Sequence, residues 1–378
     1  MKKIKTAVIG CGVVSEVYMT NLKSRFRVID LVACSDLDTA RMKERAEQFQ
    51  IKAMTSEEIF ADPEIELVVN LTNPIAHYAV TKAALLAGKH VYSEKMLAVT
   101  LKQAEELCEL ADSKHLRLGV APDTFLGATV QTAIEMIQRG MIGKPLSFVA
   151  SVTRDFGITS EVLPHLRKLG AGILFDVGCY YMTALASIFG PAEKVFSFAG
   201  IHEPVRRDRR ISNHTYGEQY QVETENVISA NIRYRNGVMG TFHLNSDTVF
   251  DETRILKIYG TEGILSIGDP NVFASSLILE TPFNAMTELP LLHGFQNECR
   301  GVAVAEMAWA ILEQRPHRAS KEMGYHLLEM LEGMLLSNQS DTAYLLQSDF
   351  DTPAPLPCGY VGKPEYGIWA PTEETALV

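Results

Sequence analysis

No Cys-x-x-C pair occurs in the sequence, and its six cysteines (Cys11, Cys34, Cys108, Cys179, Cys299 and Cys358) are scattered along it. That spacing argues against a zinc site or a disulfide framework, and for reduced thiols in a cytoplasmic setting with no metal. Positive charge is also scarce: 35 Lys and Arg against 46 Asp and Glu leave a net charge of -11. Such a balance disfavours a nucleic-acid backbone as partner. No apolar run approaches the roughly 20 residues that span a bilayer, so no membrane partner is expected. Met1-Lys2-Lys3-Ile4-Lys5 ahead of Ala7–Val14 resembles a lipoprotein signal, but its apolar core is short and broken by Gly10 and Gly12. Repeats and low-complexity linkers are missing too. The remaining picture is a globular chain of 378 residues, 47% hydrophobic, with material for two cored domains.

The first forty residues organise what is present. An apolar run from Ala7 to Ile9 breaks at Gly10-Cys11-Gly12, and Val13, Val14, Val17, Tyr18 and Leu22 then recur at helical spacing. A second apolar run ends on Asp36. Strand, glycine turn, helix, strand, acid is the order of a dinucleotide-binding unit. Gly10 makes the tight turn, and Gly12 lets a pyrophosphate approach the backbone. The helix amides beginning at Val13 and Val14 face the anion. Ser15 takes the third small position, where Gly or Ala is usual. Asp36 is placed to accept hydrogen bonds from the adenosine ribose and to repel a 2′-phosphate, which favours NAD over NADP; Arg41 tempers that preference.

Strand-like and helix-like stretches keep alternating up to Leu116–Ala121, predicting a doubly wound parallel sheet. Beyond Gly140 the texture changes. Leu146–Val152, Lys194–Gly200, Val227–Tyr234, Val238–Leu244, Arg254–Tyr259 and Ile264–Ile267 read as antiparallel strands, with Asn236-Gly237 as a hairpin turn. Helices are expected over 175–189, 302–313 and 321–337. The fold class is therefore α/β: an N-terminal Rossmann domain (residues 1–122), a C-terminal α+β domain with a large, mostly antiparallel sheet (123–350), and a tail (351–378) lying on the surface.

Ligands of a doubly wound sheet sit off the C-terminal strand ends, where three motifs fall. Thr72-Asn73-Pro74 and His77 follow one strand, either as cofactor support or as a proline-shaped turn. Glu94-Lys95 ends the next, and charge at a buried strand end is costly unless paired or used. Asp123 follows a third, facing a cofactor or capping a helix through Arg139. In the second domain, Asp176 and Tyr180 stand at i and i+4 of the expected helix, as proton-handling partners or as a cap and a core aromatic.

With AVIGCG, LVVNLTNPIAHYAV, AGKHVYSEKMLAVT and GAGILFDVGCYYMTAL in view, the chain resembles the glucose–fructose oxidoreductase/inositol dehydrogenase/rhizopine-catabolism (Gfo/Idh/MocA) family. The resemblance implies that Lys95 contacts substrate and the nicotinamide ribose, and that Asp176 and Tyr180 complete the catalytic set. Arg154 and His165 join Lys95, Asp176 and Tyr180 in the expected substrate site. Met96 stands where the family has Pro, and Asn73-Pro74 inverts its usual order. An ordinary phenol, with a pKa near 10, is a poor base at neutral pH, so Lys95 and the positive nicotinamide would have to favour the phenolate. The implied activity is NAD(P)-dependent oxidation or reduction at a CH–OH carbon of a sugar, glycoside or polyol, by a homo-oligomer (dimer or tetramer) joined through the open face of its second-domain sheet. A glycoside-cleaving enzyme that retains its NAD and a non-catalytic NAD-dependent sensor are the competing readings.

Overall fold

The computed structural model describes residues 2–155, 160–161, 163–168, 170–248, 253–282 and 286–357, which divide into two compact units. Residues up to Ala128 form the first unit together with Leu292–Tyr325 and the segment from Pro353 onward. Its elements alternate strictly: β1 (Ile4–Ile9), α1 (Val13–Ser24), β2 (Ile29–Ser35), α2 (Thr39–Phe49), β3 (Lys52–Ala53), α3 (Ser56–Ala61), β4 (Leu67–Asn70), α4 (Pro74–Leu86), β5 (His90–Ser93), α5 (Leu101–Ser113) and β6 (Leu118–Val120). The strands pair in parallel in the order β3-β2-β1-β4-β5-β6. Both faces are covered, and the middle strands are accordingly apolar runs rather than alternating ones: all four residues of β4 are buried.

Local chemistry starts the helices where they begin. Asp38 caps α2 by accepting from the amides of Ala40 and Arg41, and Thr55 and Glu58 form a reciprocal capping box on α3. Thr100 caps α5 through the Gln103 amide.

The division into units is not contiguous along the chain, unlike the single block read from 123 to 350. The helix Val302–Glu313 packs within the first unit, tied there by buried polar pairs. Glu306 is buried and accepts from Arg315 at 2.6 Å and Arg318 at 2.8 Å, while His317 Nε2 lies 3.2 Å from the Leu118 carbonyl. Arg318 also donates to the carbonyls of Ala354 and Pro355, and Leu356 is buried. The described part of the tail is thus strapped down; 358–378 lie outside the described residues.

The second unit comprises Thr129–Leu291 and His326–Thr352. Its sheet contains β7 (Pro145–Thr153), β8 (Ala192–Gly200), β11 (Val227–Tyr234), β12 (Met239–Asn245), β13 (Arg254–Gly260), β14 (Ile264–Ile267), β15 (Leu277–Glu280), β16 (Thr287–Glu288) and β17 (Tyr344–Leu345), in the order β16-β15-β14-β13-β7-β12-β11-β8-β17. Pairing is antiparallel except between β7 and β12. Asn236-Gly237 does turn β11 into β12, with Gly237 at φ 91° and the Asn236 carboxamide oxygen accepting from Val238 N. Phe148, Phe189 and Tyr234 pack in tilted and edge-on pairs with ring centroids 5.4–6.2 Å apart, forming the aromatic heart of this core. Burying each such ring contributes about 2–3 kcal/mol. A separate ribbon pairs β9 (Val205–Arg207) with β10 (Gln219–Gln221). Its basic run, which reads as a solvated loop, leaves Arg207, Arg209 and Arg210 exposed, with Arg209 meeting both oxygens of Asp155 at 2.7 and 2.9 Å and Arg206 meeting Asp247. Among the described residues, no helix is long and apolar enough to cross a membrane.

One buried network makes this unit acid-sensitive. His326 Nε2 accepts the Ala192 amide at 2.9 Å, so the ring is neutral with its proton on Nδ1, facing Ser348 Oγ at 2.8 Å. Ser348 in turn donates to Glu329, which also accepts from Gln347 N and Tyr344 Oη. Burial pushes the His326 pKa down to about 4 from 6.5. Because the unfolded chain takes up the proton first, stability is complete above pH 6.5 and is lost as pH falls towards 4, by up to about 3 kcal/mol. Melting temperatures at neutral pH and near pH 4.5 should therefore diverge more for the native chain than for His326→Gln. Equal divergence would remove His326 as the cause.

Candidate active site

The strand order reverses between β2-β1 and β4-β5, the kind of switch point off whose carboxyl strand ends doubly wound sheets take their ligands. Gly10 sits there at φ 102°, and a Cβ on it would lie 2.6 Å from the Leu71 carbonyl carbon and oxygen and 2.7 Å from Thr72 N. Only glycine fits, on both dihedral and steric grounds. Gly12 differs. It has φ -71°, no atom lies within 4 Å of its Cβ position, and the α1 amides that follow receive no side-chain cap. Open space beside uncapped helix amides is what an approaching phosphate requires. Ser15 is fully buried and donates its hydroxyl to the Gly12 carbonyl at 2.6 Å, so a serine fills the third small position without strain.

Asp36 braces the same turn. Its carboxylate accepts from Cys11 N at 2.7 Å and Asp38 N at 2.8 Å, and each oxygen keeps a lone pair for a ribose hydroxyl. Arg41 lies 3.8 Å from Asp36 and 3.3 Å from Asp38, so two acids surround one guanidinium. Val13, Leu37 and Ile75 follow β1, β2 and β4 and stand out from the surface, Val13 at 83% and Ile75 at 66% exposure. Apolar side chains beside a polar cradle suit the flat faces of a nucleotide base. These features fit a dinucleotide.

The neighbouring turns are held from beneath. Asn70, buried at the end of β4, accepts from Thr72 N and Oγ1 and donates to the His77 carbonyl and Thr81 Oγ1. Asn73 caps α4 by accepting from Ala76 N, and Pro74 occupies its first turn. This cap-then-proline order is what a helix start favours, and it explains why Asn precedes Pro here. His77 is buried, with Nδ1 2.7 Å from the Met96 carbonyl and Nε2 2.9 Å from the Thr72 carbonyl. Glu94 accepts from Tyr18 Oη at 2.8 Å and from Lys95 N at 3.0 Å, fixing the peptide that carries Lys95. The Lys95–Met96 bond is cis.

Gly10, Gly12, Val13, Val14, Asp36, Arg41, Thr72, Asn73, Pro74, His77, Glu94 and Lys95 thus share the carboxyl rim of one sheet. Asp123 does not. It is buried, and its carboxylate accepts from Gly301 N at 2.8 Å and Ala303 N at 3.4 Å, capping the helix that begins at Val302 rather than one of its own. Burial pushes its pKa up to about 7. In the second unit, Arg154 follows β7 and donates its amide to Asn245, and His165 lies half-buried in the turn Pro164–Arg167. Asp176 lies in a π-helical turn, Leu174–Gly178, that runs into the helix Cys179–Phe189 carrying the buried Tyr180. No side-chain cap hydrogen bond starts either segment, so Asp176 is not a helix cap. A widened turn of this kind recurs at functional sites. The sequence places Tyr18 only on a helix face, and gives no role at the site to Leu37 or Asn70. Of the latter two, Asn70 alone left a signal in the sequence, as a polar residue ending an apolar strand.

Comparison with known proteins matches residues 4–121 to the oxidoreductase family with an NAD-binding Rossmann fold, and residues 130–266 to the GFO/IDH/MocA C-terminal domain. An uncharacterized oxidoreductase of Schizosaccharomyces pombe is 32% identical over 52% of this chain and 54% of its own length. A 1,5-anhydro-D-fructose reductase of Ensifer adhaerens is 29% identical over 57% of this chain and 60% of its own. The chain thus spans little more than half the length of these curated relatives. A solved levoglucosan dehydrogenase in complex with NADH and L-sorbose has the same fold, with a TM-score of 0.80 at 18% identity, covering 92% of this chain and 99% of that one.

The two glycines separate folding from binding. Gly12→Ala should melt like the native chain yet bind NADH at least about tenfold more weakly, or about 1.4 kcal/mol. Gly10→Ala should lose about 1–3 kcal/mol of stability through the backbone clash. Undiminished NADH binding by Gly12→Ala in calorimetry would contradict a phosphate site at that turn.

Proposed function

The chain belongs to the Gfo/Idh/MocA oxidoreductase family, and from that premise we propose that it transfers hydride between NAD and a hydroxyl-bearing carbon of a sugar, glycoside or polyol. The observation that carries this reading is Lys95, held at the sheet rim by the Glu94–Tyr18 brace beside the Gly10-Cys11-Gly12 turn. The names of relatives, a sugar-derivative reductase and a sugar dehydrogenase among them, support the substrate class. The bound nicotinamide supplies the hydride acceptor or donor. What the protein adds is proton handling and orientation. Tyr180 removes or returns the hydroxyl proton, Lys95 favours the phenolate by its charge, and Asp176 orients Lys95 or binds a neighbouring hydroxyl. Arg154 and His165 line the substrate. For the cofactor, Asp36 and Asp38 around Arg41 keep the local field negative, which supports NAD over NADP.

A panel of sugars, glycosides and inositols tests this with NAD and NADP in parallel, read by NADH absorbance and by mass spectrometry of the products. The reading expects NADH formation with at least one sugar or polyol, higher kcat/KM with NAD, and a preference that falls in Asp36→Ser. Tyr180→Phe should lose about a hundredfold or more in kcat. Full turnover by Tyr180→Phe, or glycoside cleavage without net NADH, would overturn it.

A homo-oligomer is part of the same proposal. Phe198, Val149 and Met239 are exposed on the sheet face opposite the one where Ser197 meets Met334 and Ser337, Phe198 at 64%. Light scattering should give a dimer or tetramer that Phe198→Asp weakens; a single-chain mass would end this part.

A further inference from the structure

His77 makes an arrangement that the proposed chemistry does not use. Both ring nitrogens face backbone carbonyl oxygens, Met96 at 2.7 Å and Thr72 at 2.9 Å, and the ring is 1% exposed, so no bulk water adjusts the fit. Carbonyl oxygens only accept, while a neutral imidazole has one N–H and one lone pair. A neutral ring can therefore satisfy one of the two carbonyls, and the other then faces its lone pair. The shorter contact, at Met96, is the one that most needs the proton. Met96 is the residue after Lys95, and Thr72 belongs to the turn that Gly10 touches. One side chain thus spans the two turns beyond β4 and β5.

We infer that His77 is a positioning residue for Lys95: its Nδ1–H holds the Met96 carbonyl, and so pins the Met96–Leu97 peptide and the backbone just after the lysine. The Nε2–Thr72 contact closes fully only when the ring takes a second proton. The groups acting on that proton are few. Burial and Lys95 oppose it; Glu94 and the two carbonyls favour it, with the net result that the ring titrates below the usual 6.5. At neutral pH the Met96 bond is the working one. The functional half of this inference rests on the proposed role of Lys95.

Replacement by amides separates the two contacts. The Asn amide nitrogen takes the place of Nδ1, so His77→Asn keeps the Met96 bond; His77→Gln takes the place of Nε2 and keeps only Thr72. His77→Asn should retain kcat to within a few-fold. His77→Gln should lose about ten- to a hundredfold in kcat, the scale of a displaced reacting group, with NADH affinity and melting temperature alike in the two variants. In the native protein, ¹⁵N spectra of labelled histidine, with the His77 signals identified by their loss in His77→Asn, should show an Nδ1–H ring at pH 8. Equal kcat losses in both variants, or an Nε2–H ring, would overturn positioning through Met96. Full turnover by Lys95→Ala would instead overturn the catalytic reading and leave the tautomer result standing, so the two failures are distinguishable.

Discussion

Everything at the rim of the first sheet depends on how closely two backbones pass at the strand reversal. Gly10 approaches the Leu71–Thr72 peptide until no Cβ can be accommodated. The turn after β1 thus lies against the turn after β4, and the α1 amides that follow it carry no side-chain cap. Asp36 then holds the Cys11 amide, Ser15 fills the space behind, and Asn70 fixes the opposite wall. A cradle built from backbone and small buried side chains costs little reorganisation when an anion arrives.

The second layer of the site is built from polar groups that hold both one another and the backbone, Tyr18 donating to Glu94 while Glu94 and His77 meet backbone groups. Tyr18, Glu94 and His77 converge on the short segment from Glu94 to Met96. Burying such groups is tolerable only because each is bonded, and the reward is a lysine whose peptide has little freedom. Glu306 does comparable work between Arg315 and Arg318, as does Glu329 with Ser348.

Much of this was legible because it is written at short range. Apolar periodicity located β4, β11 and the helix Val302–Glu313, and Asn236-Gly237 marked its hairpin. The glycine turn and the acid after β2 were readable for the same reason: the spacing is the chemistry. What could not be read is set by partners far away in the chain. Nothing near Asp123 says that it caps a helix starting at Val302, and nothing near His77 says that Met96 will meet its ring. The π-helical turn at Asp176 and the return of 292–325 to the first unit also arise from tertiary packing, which periodicity does not encode. The acids that meet the basic run Arg206–Arg210, Asp155 and Asp247, lie in other loops and leave no signal beside it.

The proposed activity requires direct hydride transfer between a carbinol carbon and the nicotinamide. The most direct measurement uses a substrate found active, deuterated at the reacting carbon, with mass spectrometry of the recovered cofactor. The deuterium should appear on the reduced nicotinamide while the substrate hydroxyl becomes a carbonyl. Deuterium released to solvent, or returned to the carbon it left with the cofactor unchanged, would contradict the proposed activity.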